Sequence, residues 1–211
     1  MGGLYPIFAD ITGRQVVVIG GGQVAQRKVE VLVGCGAQVK LISPQVTQKL
    51  AQWHKKGRIK IEKRRFKGGD TAGAWLVIAA SGDEKINREV FAEAQERRVF
   101  CNVVDGPEWC SFQVPSVLKR DALQIAISTG GVSPALAKRI RKELEEEFGS
   151  FYGPFLAGLK ELREHIKHKY PQDQERRTAI FEAFVNSEAL ELLRSGKTKE
   201  FRRTLEEWKN R

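Results

Sequence analysis

The sequence predicts an α/β fold built on a doubly wound parallel sheet, followed by a small α+β region and a helical C-terminal region. In the first half, short apolar runs alternate with stretches of helical periodicity, and a glycine-rich turn joins the first run to the first helix. Apolar strands separated by helices require a parallel sheet that is covered on both faces. From Ser150 onward only helical periodicity remains. We therefore divide the chain into residues 1–112, 113–148 and 149–211.

Composition and charge set limits on the class of protein. The 211 residues are 41% hydrophobic and 29% charged, which suits a globular chain with a substantial core. No apolar run approaches the roughly 20 residues that cross a bilayer, and the N-terminus has no signal-peptide pattern. We expect a cytoplasmic protein without a membrane partner. The net charge of +10 predicts attraction to anionic ligands.

The elements of the first half follow from the spacing of apolar residues. Helical spacing predicts three helices, and Asp83 has the position of an N-cap for the third. The predicted strands are Gln15–Ile19, Gln38–Ile42, Arg58–Glu62, Trp75–Ala80 and Val99–Val104, and the predicted helices are Val24–Leu32, Val46–Lys56 and Lys85–Arg97. The strand Arg58–Glu62 alternates polar and apolar residues, which is typical of a sheet edge.

The pattern changes after Asp105. The runs Phe112–Val117 and Leu123–Ile127 flank Lys119–Asp121, which predicts a hairpin in place of another strand–helix–strand unit. Ser133 can then cap a helix that has Pro134 at its first position and continues to Glu147.

A glycine motif of the form GxGxxA occupies Gly20–Ala25, between the first predicted strand and helix. Gly20 makes the tight turn, Gly22 lets the backbone approach a pyrophosphate, and Ala25 lets the helix pack on the strand. The anion then meets free N–H groups at the positive end of the helix dipole. This context predicts a Rossmann-type dinucleotide site that includes Gly20, Gly21 and Gly22.

The residues that would read the adenosine ribose follow the second strand. NAD sites usually present Asp or Glu there, whereas NADP sites often supply Arg. This chain has Ser43, Pro44 and Gln45. Ser43 or Gln45 can hydrogen-bond a ribose, and neither repels a 2′-phosphate, so the chemistry favours NAD only modestly.

Polar groups just after strands are the first candidates for chemistry, because ligands of such sheets bind beyond the carboxyl ends of the strands. Ser81 follows the fourth strand, where we expect it to contact the cofactor, and Asp105 follows the fifth. Asp105 can act as a general base or stabilise a cationic intermediate, although an aspartate at a strand end is also a common turn residue.

The remaining reactive side chains give no site of their own. Cys35, Cys101 and Cys110 form an odd set without a CxxC pair, which predicts reduced thiols. His165 and His168 lie three residues apart on a predicted helix, but no ligand pattern nearby completes a metal set. A metal site is therefore not assigned.

Several stretches together resemble the precorrin-2 dehydrogenase/sirohydrochlorin ferrochelatase family, in the form found at the N-terminus of sirohaem synthases. The resemblance extends over about residues 4–147, and the combination of GGGxVAxRK, NVVD and GGxSP is more specific than any one piece. The stretches that carry it are Tyr5–Phe8, Val18–Lys28, Gly36–Val39, Ile42–Pro44, Phe100–Asp105, Ser111–Phe112, Pro115 and Ser128–Pro134.

The resemblance implies a homodimer with an NAD-binding Rossmann domain over 1–112, a dimerisation region over 113–148 and a helical region over 149–211. It implies NAD-dependent oxidation of precorrin-2, a tetrapyrrole, to sirohydrochlorin in sirohaem and porphyrin biosynthesis. Insertion of Fe²⁺, or of Co²⁺ in its place, is left open. The family's key aspartate matches Asp105. Its cofactor contacts match Gly20, Gly21, Gly22, Gln23, Val24, Ser43, Pro44 and Gln45, and its substrate-cleft segment matches Ser128, Thr129, Gly130 and Gly131.

The charge agrees with such a substrate, because precorrin-2 carries eight carboxylates that basic side chains attract and pair. The candidates for this pairing are Arg27, Lys28, Lys119, Arg120, Lys138 and Arg139. The alternative is a non-catalytic NAD(H)-sensing module that binds a protein partner. Nucleic-acid binding through the basic segment Lys55–Lys67 is not expected, because its aromatic residues are isolated and no known module is present.

Overall fold

A computed structural model describes residues 4–211 of the chain. These residues form two compact units, of which the first ends at Val114 and the second begins at Pro115. The finer division at residues 112 and 148 stays a prediction.

The first unit is a five-stranded parallel sheet in the order β3-β2-β1-β4-β5. This order confirms the predicted doubly wound fold. The strands are β1 Gln15–Ile19, β2 Gln38–Ile42, β3 Lys60–Glu62, β4 Leu76–Ala79 and β5 Phe100–Val103. The helices are α1 Gln23–Gly34, α2 Gln48–Lys55 and α3 Glu84–Glu96, with a short 3₁₀ helix at Pro107–Trp109.

The sheet of the first unit is buried on both faces. Val16 and Val18 of β1 pack in one apolar layer with Val29 of α1. Val17 faces the other way and packs in a second layer with Val90 of α3. Because alternate residues of a strand point to opposite faces, the continuous apolar run of β1 requires a helix on each side.

Two N-caps fix where helices of the first unit begin. The Asp83 carboxylate accepts hydrogen bonds from the backbone N–H groups of Lys85 and Ile86, at 3.0 and 3.3 Å, which confirms the predicted cap. The prediction that α2 begins at Val46 is wrong. Thr47 has extended backbone and its hydroxyl accepts from the N–H of Leu50, so the helix begins at Gln48.

The second unit combines an antiparallel hairpin with a set of helices. Its elements are β6 Ser116–Arg120, β7 Leu123–Ile127, α4 Pro134–Glu147, α5 Tyr152–Lys169, α6 Gln174–Val185, α7 Ala189–Arg194 and α8 Thr198–Asn210. The hairpin is present, but the predicted first strand Phe112–Val117 is wrong. Arg120 pairs with Leu123, and Asp121 has a φ of +51°, so a two-residue turn at Asp121–Ala122 shifts the strand to begin at Ser116.

The core of the second unit lies among its last four helices. Phe155 and Phe184 stack with ring centroids 6.1 Å apart. A side chain at Gly158 would lie 2.6 Å from the ring of Phe201, so the glycine lets α5 and α8 approach closely. Within residues 4–211, no helix combines the length and the apolar character that crossing a bilayer requires.

Candidate functional site

A cavity of about 590 Å³ opens at the carboxyl ends of β1, β2 and β4 in the first unit. Seven of the predicted cofactor residues line it, namely Gly20, Gly21, Gly22, Ser43, Pro44, Gln45 and Ser81. The other two, Gln23 and Val24, do not line the cavity. They are the first two residues of α1, directly after the glycines. The volume falls within the range of small-molecule sites.

The surrounding backbone requires glycine at the first two positions of the turn, whether or not a ligand is bound. Gly20 has a φ of +113°, and a Cβ there would lie 2.2 Å from the carbonyl oxygen of Ala80. A Cβ at Gly21 would lie 2.1 Å from the carbonyl oxygen of Gln45. Any side chain at these positions would therefore collide with backbone on either side of the cavity.

Gly22 differs, because a Cβ there would meet no protein atom within 4 Å. It is the N-cap residue of α1, and the first turn of the helix has neither a capping side chain nor an acidic residue. The N–H groups at the positive end of α1 thus have no capping side chain, and the space beside Gly22 is open, which fits the pyrophosphate of a dinucleotide.

The polar residues after β2 and β4 are held by local hydrogen bonds. The Ser43 hydroxyl donates to the carbonyl oxygen of Gln45 at 2.7 Å. The Ser81 hydroxyl donates to the side-chain oxygen of Asn87 at 2.7 Å, and the Asn87 amide donates back to the Ser81 carbonyl at 3.1 Å. These bonds fix the two loops that border the cavity.

The sequence predicted no cavity residue in the chain that follows β3, but two lie there. Arg65 and Phe66 follow β3 and line the cavity beside the end of β2. The backbone N–H of Ser43 donates to the carbonyl of Glu62 at 3.2 Å, so the chain leaving β3 runs next to the ribose-reading segment. The alternation of the edge strand was the signal that could have found them, because it placed the end of β3 at the same edge of the sheet.

Asp105 lies in the turn after β5, exposed to solvent and with a φ of +61°. It does not line the cavity. Cys110 braces this turn, because its thiol accepts from the N–H of Val103 at 3.2 Å and lies 3.3 Å from the carbonyl oxygen of Gly106. The Arg88 guanidinium of α3 lies 4.6 Å from the Trp109 ring centroid and supports the loop from outside.

The three cysteines are free and differ in exposure. Cys35 is exposed, whereas burial raises the pKa of the Cys101 thiol to about 12. Burial also raises the pKa of the half-buried Cys110 thiol, against the hydrogen bond from Val103 that lowers it. Both raised values keep these two thiols protonated at neutral pH.

The four predicted substrate residues lie in the second unit, in the loop between β7 and α4. The Ser128 hydroxyl accepts from the N–H of Gly130 at 3.1 Å, and the Thr129 hydroxyl accepts from the N–H of Ser133 at 3.0 Å. Gly130 and Gly131 have φ values of +63° and +87°. The Ser133 hydroxyl caps α4 by accepting from the N–H of Leu136, which confirms the predicted cap.

Some candidate basic side chains already have partners in the second unit. Arg120 donates to the carbonyl oxygens of Phe148 and Glu145 at the end of α4. Arg139 pairs with Glu143 at 2.8 Å. Across residues 4–211, no group of three or more His, Cys, Asp or Glu side chains could hold a metal ion, and His165 and His168 lie exposed on α5.

Models of known protein families match three consecutive parts of the chain. A family described as putative NAD(P)-binding matches residues 7–116, which covers about half of the chain. The central region of sirohaem biosynthesis proteins matches residues 120–147, and the dimerisation region of sirohaem synthases matches residues 152–207. The prediction of a nicotinamide dinucleotide cofactor is thereby confirmed.

Individual relatives point the same way. The siroheme synthase of Methylobacillus flagellatus is 39% identical over 188 residues, which cover 88% of this chain and 40% of that protein. The siroheme synthase of Pseudomonas aeruginosa is 38% identical over 203 residues, which cover 96% of this chain and 43% of that protein. The chain thus spans about two fifths of the length of these curated relatives.

A solved structure extends the likeness to the fold. The structure of SirC, a precorrin-2 dehydrogenase, superposes with a TM-score of 0.81 and 25% sequence identity. The superposition covers 97% of this chain and all of that one.

Proposed function

The chain belongs to the sirohaem synthase and precorrin-2 dehydrogenase family, and on that premise we propose that it oxidises precorrin-2 to sirohydrochlorin with NAD⁺ in sirohaem biosynthesis. One observation carries the proposal. The uncapped N-terminus of α1 faces an open cavity at the strand ends, in a chain that shares its fold with a precorrin-2 dehydrogenase over nearly its whole length.

The glycine turn and the loops after β2 and β4 would hold the cofactor. Gly20, Gly21 and Gly22, with the first residues Gln23 and Val24 of α1, would bind the pyrophosphate through backbone N–H groups. Ser43, Pro44 and Gln45 would contact the adenosine ribose, and Ser81 would border the cavity from β4. Bound NAD⁺ supplies the hydride acceptor, so that precorrin-2 and NAD⁺ give sirohydrochlorin, NADH and a proton.

Asp105 is the residue that we propose to manage that proton. Its carboxylate is exposed in a braced turn, so it is free to contact a macrocycle that binds over the strand ends. It would accept the proton released as hydride leaves the substrate, or stabilise the positive charge that develops on the ring. The chain's task is then to hold the ring and the nicotinamide in register.

The remaining features of this proposal concern the second unit. Ser128, Thr129, Gly130 and Gly131 would contact the tetrapyrrole, and residues 113–148 would take part in a homodimer. The match to a sirohaem synthase dimerisation region covers residues 152–207, so it supports self-association but points to the helices after residue 148. The cytoplasmic location stays a prediction.

The test uses purified chain, freshly made precorrin-2 and NAD⁺, with sirohydrochlorin followed by its visible spectrum. Asp105→Ala should lower kcat by roughly 100-fold or more, the usual loss when a general acid–base group is removed, while the Kd for NAD⁺ changes little. Glu108→Ala is the matched control, because Glu108 is an exposed acid in the same loop, and it should retain full activity.

Two results would contradict the proposal. Dinucleotide binding without turnover of precorrin-2 would favour a sensing module that binds a protein partner. An active Asp105→Ala variant would remove this residue from the mechanism.

Metal insertion is a separate reaction with its own measurement. We retain Fe²⁺ insertion into sirohydrochlorin as a prediction, with Co²⁺ as the alternative metal substrate. The enzyme-dependent rate of insertion should exceed the uncatalysed rate in matched buffer, and equal rates would assign chelation to another protein.

A further inference from the structure

The ribose-reading side of the cavity has two walls. The end of β2 forms one of them. The chain leaving β3 forms the other, because β3 pairs with β2 in parallel, with Ile42 opposite Glu62, and both strands end at the same edge. Arg65, three residues beyond Glu62, is one of the residues that line the cavity.

No carboxylate occupies the position that distinguishes NAD from NADP in this kind of site. Ser43 follows β2 directly, and its hydroxyl is bonded to the carbonyl of Gln45. Asp83 is the acidic residue among those that line the cavity, and its carboxylate caps α3. A 2′-phosphate on the ribose would therefore meet no acidic group at the end of β2.

The segment that carries Arg65 is fixed by its neighbours. Arg64 donates to both carboxylate oxygens of the buried Asp70, at 2.7 and 2.6 Å, and to the carbonyl oxygen of Arg65 at 3.0 Å. The N–H of Lys67 donates to the same carboxylate at 2.9 Å. Burial raises the pKa of Asp70, but these bonds outweigh that effect and hold the pKa below its usual value, so the clamp is ionised at neutral pH.

Arg65 itself is left available for a ligand. It is exposed, and it forms no ion pair with any residue of the described part of the chain. Of the described residues that line the cavity, Arg65 is the one with a positively charged side chain. A guanidinium group presents a planar fork of donors that matches phosphate oxygens.

We propose that Arg65 pairs with the 2′-phosphate of NADP⁺, so that this protein accepts NADP⁺ as well as NAD⁺. The inference rests on the dinucleotide site of the proposed function and adds its specificity. Arg64 and Asp70 act through Arg65 by holding its backbone at the cavity wall.

The test measures the Kd of NADP⁺ and NAD⁺ by calorimetry, without tetrapyrrole. Wild-type protein should bind the two within about tenfold of each other. Arg65→Ala should raise the Kd for NADP⁺ roughly 10- to 100-fold, as expected for loss of a charge-assisted hydrogen bond, and change the Kd for NAD⁺ less than about twofold. Arg65→Lys should restore part of the loss, because it keeps the charge without the fork.

Lys63→Ala is the matched control, since Lys63 has the same charge, lies on the same segment and does not line the cavity. It should leave both affinities unchanged. The inference is overturned if wild-type protein binds NADP⁺ more than 100-fold more weakly than NAD⁺, if Arg65→Ala weakens both dinucleotides equally, or if Lys63→Ala reproduces the Arg65→Ala loss.

The outcome separates this inference from the proposed function. If the affinity for NADP⁺ depends on Arg65 but the protein fails to oxidise precorrin-2, the proposed function is wrong and the role of Arg65 in dinucleotide binding is supported. If the protein oxidises precorrin-2 with NAD⁺ but Arg65→Ala leaves the Kd for NADP⁺ unchanged, the proposed function is supported and the inference about Arg65 is wrong.

Discussion

Two glycine turns, each leading from a strand into a helix, end in opposite ways. The turn after β1 ends at Gly22, which lines the cavity, and the N–H groups of the first turn of α1 donate to no capping side chain. The turn after β7 leads into α4, whose N-terminus accepts a cap from Ser133 within its own loop. The first turn leaves hydrogen-bond donors for a ligand, and the second uses a side chain to satisfy one of them.

The glycines of the two turns are needed for different reasons. Backbone atoms of neighbouring loops lie so close to Gly20 and Gly21 that neither position has room for a side chain. Gly130 has open space around it and needs only its left-handed backbone. Similar short sequences thus allow close approach of backbone in one case and a left-handed turn in the other.

The difference between the two turns is tested most strongly by adding a methyl group to a glycine in each. Gly20→Ala should lower the free energy of unfolding by about 2–4 kcal/mol, because the new Cβ collides with backbone and the φ is strained. Gly130→Ala should cost only about 1–2 kcal/mol, the price of left-handed backbone alone. Urea denaturation followed by circular dichroism measures both. Equal losses would mean that close approach does not matter at Gly20.

A second variant separates the fold from the ligand. Gly22→Asp should raise stability by a few tenths of a kcal/mol, because it caps α1 in open space. The same carboxylate should weaken NAD⁺ binding by roughly 10-fold or more, since it competes with and repels the pyrophosphate.

Gly22→Ala is the control, as it adds volume without charge and should weaken binding less. Unchanged NAD⁺ affinity in Gly22→Asp would show that the pyrophosphate lies elsewhere. The measurements are calorimetric titration with NAD⁺ and thermal unfolding without it.

The smallest expected effect belongs to the capped turn. Ser133→Ala should lower the free energy of unfolding by about 1 kcal/mol, as removal of an N-cap usually does, and leave NAD⁺ affinity unchanged. A Thr replacement should recover most of the loss, because it restores a hydroxyl acceptor. A change in NAD⁺ affinity would contradict the separate roles of the two helix ends.

The sequence predicted the sheet because burial on both faces leaves a plain record in β1 and β4, whose residues are apolar at successive positions. It predicted the glycine turn because close approach permits no other residue at Gly20. It did not predict the register of β6. That register depends on the left-handed backbone at Asp121, which the spacing of apolar residues does not reveal. Arg65 was missed as well, because its place in the cavity depends on which strand lies beside β2.

The unequal burial of the three thiols has a practical consequence. Cys101 and Cys110 are kept protonated by their surroundings, whereas Cys35 is exposed at the far end of α1. A helix of 12 residues is about 18 Å long, so that end is well separated from the glycine turn. A maleimide dye should couple to Cys35 first, which gives a fluorescent handle for titrating dinucleotides without disturbing the pocket.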